Sequence, residues 1–300
     1  MLPSFRTLWK KSGLTRLGLV LSTHSLSWAL LQPETLPKLL GSGSVAFNNR
    51  ELGETLLELL NIPGIAHSQV HLVLPPGNYQ LLLAEAPSVP GHELADALRW
   101  KVADMLTYDP ADAALDAFAL PADAYRGRQP MAYLAACPRQ LISSFDQIFA
   151  RLPLELMRVT IPEVASLHLG QRIVPESESW ALVMLGINEC HMCLMQHREL
   201  YLTRQAPVGW SRLRSADDFD QLLLEVQRSL DYYESQIGKG TIRRILISPH
   251  IKSAELAAYL DQNLTPAVSV LDIQPLVQGE LSGSAADEAV ALGAALGSAA

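Results

Sequence analysis

RLGLVLSTHSLSWALL, Arg16 to Leu31, sets two runs of strand-forming residues on either side of a short polar turn, Ser22-Thr23-His24-Ser25. That is the layout of a β-hairpin whose tip can face a ligand. A third extended segment follows over Pro37 to Phe47. A helix over Asn49 to Leu60 places Leu52, Leu56, Leu59 and Leu60 on one face. Val70 to Leu74 is then a short apolar strand stopped by Pro75-Pro76, with the unbroken hydrophobicity of a buried parallel strand.

The second half repeats this order. Trp180 to Ile187, Cys190 to Gln196 and Leu200 to Ala206 are three strands with short turns between them. Ala216 to Gln236 is a long helix, and Ile242 to Ser248 the strand after it. The repeat is one of element order and spacing rather than of letters. Between the halves the spacing predicts a small α+β module: strand Tyr79 to Glu85, helix His92 to Leu106, strands Ala113 to Leu120 and Pro130 to Cys137, and helix Pro138 to Leu152. Leu154 to Thr160 and Pro162 to Gly170 complete the first lobe. Strand Ala267 to Ile273, a Gly/Ser linker and a glycine- and alanine-rich helix, Ala285 to Leu296, close the second. The organisation expected is a segment 1–15, a first lobe 16–76 and 153–175, an inserted subdomain 77–152, and a second lobe 176–300.

Three hundred residues suit two lobes with a sizeable core, and 49% apolar against 18% charged residues is a globular balance. No apolar run approaches the roughly 20 residues of a membrane span, and the N-terminus lacks the apolar stretch of a signal peptide, so a cytoplasmic location is expected. A net charge of −8 without a basic stripe argues against nucleic acid. Residues 1–15 place Leu2, Phe5, Leu8 and Trp9 at helical spacing with Arg6, Lys10 and Lys11. Such a segment either lies in a membrane interface or packs on its own domain.

Three cysteines cannot all pair. Cys190-His191-Met192-Cys193 is formally a CxxC, but on a strand residues three apart point to opposite faces, and no second pair completes a tetrahedral site. Small buried strand residues are the expectation, with no metal. Neither a Walker A loop, G-x-S-x-G nor H-E-x-x-H occurs. His71 and His168 read as structural, and Asp112, Asp116 and Asp123 as a solvated acidic face.

Two lobes of this element order with an insertion in the first resemble the actin-like (RNase H-like) ATPase superfamily, an α/β fold with duplicated βββαβαβα halves. Leu98-Arg99-Trp100-Lys101 through Tyr108-Asp109-Pro110 to Leu115-Asp116 resembles a stretch of the PilM-like type IV pilus assembly proteins. Glu225 to Tyr233 is similar to the segment before their adenosine strand, and Ala289 to Leu296 to their closing helix. The resemblance spans residues 16 to 297. It points to the short PilM-like members of mannose-sensitive haemagglutinin (MSHA) pilus systems, the MshI type, and more distantly to the GspL cytoplasmic domain of type II secretion.

That resemblance implies a first phosphate loop at Gly18 to Ser27, in which the family's magnesium-holding Asp is Val20, its glycine Ser22 and its lysine Ser27. The second loop's D-x-G is Met184-Leu185-Gly186, and the Gly-Gly ending the adenosine strand is Ser248-Pro249-His250. Loss of both carboxylates removes the means of stabilising a transferring phosphoryl group, so the resemblance implies a pseudo-ATPase with no cofactor. Ser22, Thr23, Gly186, Glu225 and Arg228 are what could remain of a nucleotide site, Glu225 and Arg228 being equally an exposed i,i+3 ion pair. The alternative is a nucleotide-switched protein of the same fold that still takes Mg-ATP.

The family further implies a partner. PilM docks the cytoplasmic N-terminal segment of a bitopic PilN-like inner-membrane protein between the first lobe and the insertion, and the assembly ATPase is a further possible contact. Tyr79, Leu81 and Leu83 on the first strand of the insertion are the expected groove residues, since leucines occupy both faces of that strand. Trp100 and Tyr108 read as helix-to-sheet packing before groove wall. The expected role is a non-catalytic scaffold, cytoplasmic and peripheral at the inner membrane.

Overall fold

The computed structural model describes residues 14–48, 50–125, 129–215, 218–237, 240–282 and 286–297. The amphipathic residues Phe5, Leu8, Trp9, Lys10 and Lys11 lie outside them. In the first lobe, β1 (Arg16–Leu21), β2 (Ser25–Gln32) and β3 (Lys38–Ala46) form an antiparallel meander. β4 (Gln69–Val73) adds to β1 in parallel, and β8 (Glu155–Thr160) adds to β4 in the same sense, giving the sheet order β3-β2-β1-β4-β8. The second lobe builds the same sheet, β11-β10-β9-β12-β13, from β9 (Ser179–Leu185), β10 (Cys190–Gln196), β11 (Glu199–Ala206), β12 (Arg244–Ile247) and β13 (Ala267–Val270). The repeat of element order is therefore a repeat of topology.

Period-two alternation decides which helix covers which face. Leu17, Leu19 and Leu21 of β1 point to one side, where α1 (Leu52–Leu59) supplies fully buried Leu56 and Leu59. α3 (Arg139–Phe149) adds Phe145 and Phe149 to that same core, so the helix grouped by its position with the insertion packs on the first sheet. Burial of each such leucine or phenylalanine contributes about 1.5–3 kcal/mol. The Gly-Ser-Gly run of β3 is strand rather than linker because the Trp28 ring of β2 lies over Gly41 and Gly43.

On the other face of β1, Gly18 and Val20 meet α7 (Ala286–Leu296), the closing helix of the second half. A Cβ at Gly18 would overlap the carbonyl oxygen of Ala291. α4 (Pro162–Ile173), which closes the first half, crosses the opposite way: a Cβ at Gly170 would overlap the Trp180 ring of β9. The two helices touch where Gly293 lies on the backbone of Ala165. Each sheet is thus covered by the last helix of the other half, and the glycines are the contact points.

In the insertion, β5 (Gln80–Glu85), β6 (Ala113–Ala119) and β7 (Met131–Pro138) pair in the order β5-β7-β6, and α2 (Leu94–Arg99) lies on one face. The helix expected over His92 to Leu106 is shorter than that. Leu94, Leu98 and Val102 are buried at helical spacing, but α2 ends at Arg99, whose guanidinium bonds the carbonyls of Pro110 and Ala113, and a separate 3-10 turn covers Ala103–Met105. Trp100 does not pack between helix and sheet: it is 68% exposed. α5 (Phe219–Tyr232) runs on into a π-helical turn, Tyr233–Ile237. The spacing missed α6 (Ser253–Asn263), an alanine-rich helix with little contrast between its faces beyond Leu256 and Leu260. No helix among the described residues is long and apolar enough to cross a membrane.

Candidate functional site

The hairpin tip of β1 and β2 is self-satisfied. Ser22 Oγ accepts the N–H of Ser25 at 3.0 Å and stands 2.9 Å from Ser25 Oγ, and Ser22 N–H donates to the Ser25 carbonyl at 2.9 Å. Opposite, the turn after β9 is closed by Gly186 N–H donating to Glu189 O at 2.8 Å. The two turns face one another between the lobes across a cavity of about 230 Å³. Ser22, Thr23 and Gly186 line it, together with Val20 and Met184, which are 5% and 4% exposed. Ligand pockets usually hold roughly 300–1,000 Å³. The structure thus brings together three of the expected nucleotide-site residues with Val20 and Met184, the two apolar side chains for which the resemblance implies carboxylates.

Glu225 and Arg228 do not line this cavity. They form an ion pair one helical step apart on α5, 2.8 Å between Nη1 and Oε1, with more than half of the Arg228 side chain in solvent. At the end of β12, the His250 ring stacks on Trp210 with centroids 3.9 Å apart and planes 15° from parallel. Ser248 is buried, its Oγ accepting the Leu185 N–H at 2.9 Å. The chain therefore fills with its own side chains the place where the resemblance implies an open Gly-Gly.

A buried polar cluster at the inner end of the cleft escaped the sequence reading. Glu163, in the first turn of α4 and 5% exposed, accepts the Tyr79 hydroxyl on Oε1 and Oε2 at 2.9 and 2.8 Å. The helix N-terminus favours its negative charge. His191 of β10, paired in register with Met184, brings Nδ1 to 3.6 Å from Glu163 Oε1 and Nε2 to 3.7 Å from Glu189 Oε1. Burial disfavours its protonation, but Glu163 and then Glu189 outweigh that and hold its pKa above the ordinary value. Burial also raises the Asp287 carboxyl in the first turn of α7, with His191 opposing. His191 sits in the CxxC stretch considered for metal; Cys190 and Cys193 are buried free thiols pushed up by burial.

Two grooves flank the insertion. Along β5, Leu82 and Ala84 pack beneath α2, so Leu81 and Leu83 point away from it. That end of the sheet abuts the second lobe, and Leu81 and Leu83 line a groove of about 520 Å³ with Leu202, Arg204 and Tyr232. The expectation that they line the space between insertion and first lobe is not met: of the three expected groove residues, Tyr79, just before β5, packs on the first-lobe core and borders that space. That space is a second groove, about 570 Å³, between the inner face of the insertion sheet and β8. Phe118, Ala135, Ile142, Met157 and Val159 line it. Tyr79 borders both grooves. β8 is an edge strand among the described residues, and Met157 on it is 38% exposed.

No protein-family model and no curated protein matches the chain. Solved structures do. A protein from Bacteroides thetaiotaomicron with an actin-like ATPase fold and unknown function superposes with a TM-score of 0.51 at 10% identity, covering 89% of this chain and 93% of that one. The chain has the actin-like fold. A chain of the PilM–PilN type IV pilus biogenesis complex gives a TM-score of 0.73 at 16% identity, with 94% of this chain and 97% of that one covered. The cytoplasmic domain of EpsL, an inner-membrane component of the Vibrio cholerae type II secretion system, gives 0.54 at 15% identity, covering 94% of each. Within the actin-like fold, the two turns, the Glu163–His191 cluster and α7 all meet between the halves.

Proposed function

We propose that this chain is a non-catalytic scaffold of a type IV pilus inner-membrane assembly platform, of the MSHA type, and docks the cytoplasmic N-terminal segment of a PilN-like membrane protein. The observation that carries the reading is the end-to-end likeness to a chain of a complex named for PilM and PilN, insertion included. Val20 and Met184 support the absence of catalysis, since neither side chain can ligate magnesium and both are buried in the cleft. We place the partner in the groove along β8. Its apolar walls and the open strand edge suit an extended apolar peptide, whose backbone can pair with the edge while side chains enter the groove. The chain then works at the cytoplasmic face of the inner membrane, with residues 1–15 as a surface contact and the assembly ATPase as a second partner. Titration calorimetry with the PilN-like N-terminal peptide tests this: micromolar binding supports it, and no heat at millimolar peptide removes it.

A nucleotide-switched actin-like protein is the second reading. It is favoured by Ser22, Thr23 and Gly186 still facing one another across the cleft. Bound Mg-ATP would be its cofactor.

A further inference from the structure

Three parts of the chain meet at one carboxylate. Tyr79 leads into the insertion, Glu163 opens α4, and His191 belongs to the second sheet. The single Tyr79 hydroxyl proton is shared between both oxygens of Glu163, 2.9 and 2.8 Å away, while His191 Nδ1 stands 3.6 Å from Oε1. A charge-assisted N–H to carboxylate bond closes to about 2.7–2.9 Å. The imidazole therefore stands less than about 1 Å outside a bond to a carboxylate whose position the phenol fixes. Both its ring nitrogens are buried without a hydrogen-bond partner, although Glu163 and Glu189 stand just beyond bonding distance. The charged groups around the ring are Glu163 from α4, Glu189 from the turn before β10, and Asp287 from α7.

The geometry points to a competition between Tyr79 and His191 for Glu163 as a switch that couples the grooves beside the insertion to the cleft between the lobes. While Tyr79 holds Glu163, the imidazole stays back. A groove occupant that accepts the Tyr79 hydroxyl, as a peptide carbonyl does, releases the carboxylate to turn, and the imidazolium closes on it. α4 and β10 then draw together and the cleft that His191 lines narrows. The coupling is reciprocal, so protonation of His191 turns the Tyr79 hydroxyl toward the groove. This mechanism rests on the grooves being partner sites, but its test needs no partner.

The His191 ring is titrated by NMR in the full chain, its signal assigned by its loss in His191→Gln. Tyr79→Phe keeps the ring and removes the competing donor. The midpoint is expected to rise by about one unit, a tenfold weaker acid. Glu163→Gln is expected to move it below the wild-type value. The titrations of His71 and His168 report an intact fold in both variants. An unchanged or lowered midpoint in Tyr79→Phe overturns the switch, because a phenol that only fills space leaves the imidazole as it was. A raised midpoint beside a failed peptide titration leaves the switch standing and removes only the partner assignment.

Discussion

Gly18 of β1 lies directly against the carbonyl oxygen of Ala291 in α7, with no room between them for a methyl group. At the position where the resemblance starts a phosphate loop, the glycine serves helix-to-sheet contact. Gly18→Ala must displace backbone rather than a flexible side chain, and is expected to destabilise the fold by about 2–3 kcal/mol. Urea unfolding measures it, and Gly77→Ala, at an open turn glycine with positive φ, is the control for backbone strain alone.

Mg-ATP is expected to leave the melting temperature unchanged. A ligand at a hundred times its Kd stabilises by about 2.7 kcal/mol, a shift that differential scanning fluorimetry resolves easily. Concentration-dependent stabilisation by Mg-ATP would favour the nucleotide-switched reading.

Met157→Asp sets a charge in the groove along β8 and is expected to weaken the PilN-like peptide at least tenfold, about 1.4 kcal/mol. Leu81→Ser, in the groove facing the second lobe, is expected to change it less than twofold. The reverse ranking, read by calorimetry, would move the partner to the other groove.

Acid is expected to destabilise the protein through His71. Burial first, then the charges of Arg158, Arg16 and His168, lower its pKa from 6.5 to about 4. The unfolded chain therefore binds this proton between those values and the folded one does not, so stability falls as pH drops from 6.5 toward 4. Between pH 7 and pH 5 the loss is about 2 kcal/mol. His71→Gln should flatten that slope in chemical unfolding. His191 has the opposite sign: its raised pKa gives stability present below 6.5 and lost as pH rises through the folded value.

Deletion of residues 2–11 is expected to abolish sedimentation with anionic liposomes and to leave the circular dichroism spectrum unaltered. Equal sedimentation of both forms would assign the segment no membrane role.

Both sheets were legible because their central strands are buried on both faces and read as apolar runs. VHLVL and WALVML could be little else. α6 was not, since alanine hides which face is buried, and α2 was overextended because its break is set by Arg99 reaching carbonyls eleven and fourteen residues on. Within the site, the positions of Ser22 and Thr23 followed from the hairpin, and that of Gly186 from the resemblance. The Tyr79, Glu163 and His191 cluster joins residues 79, 163 and 191, which no local pattern links. The available signals were a glutamate one residue after the proline that opens a helix, and a histidine inside an otherwise apolar strand.

The exchange of α4 and α7 between the halves bears on how the chain is made. As the ribosome extends the chain, β1 and β2 are complete once Gln32 is made, but the face bearing Gly18, Val20 and Ala29 lacks the cover of α7 until the helix ending at Leu296 emerges. The nascent first lobe must carry that bare apolar face until α7 arrives, a natural surface for a chaperone. Severing the chain between the lobes would give two fragments that each hold the other's missing layer, so they should assemble only as a complementing pair.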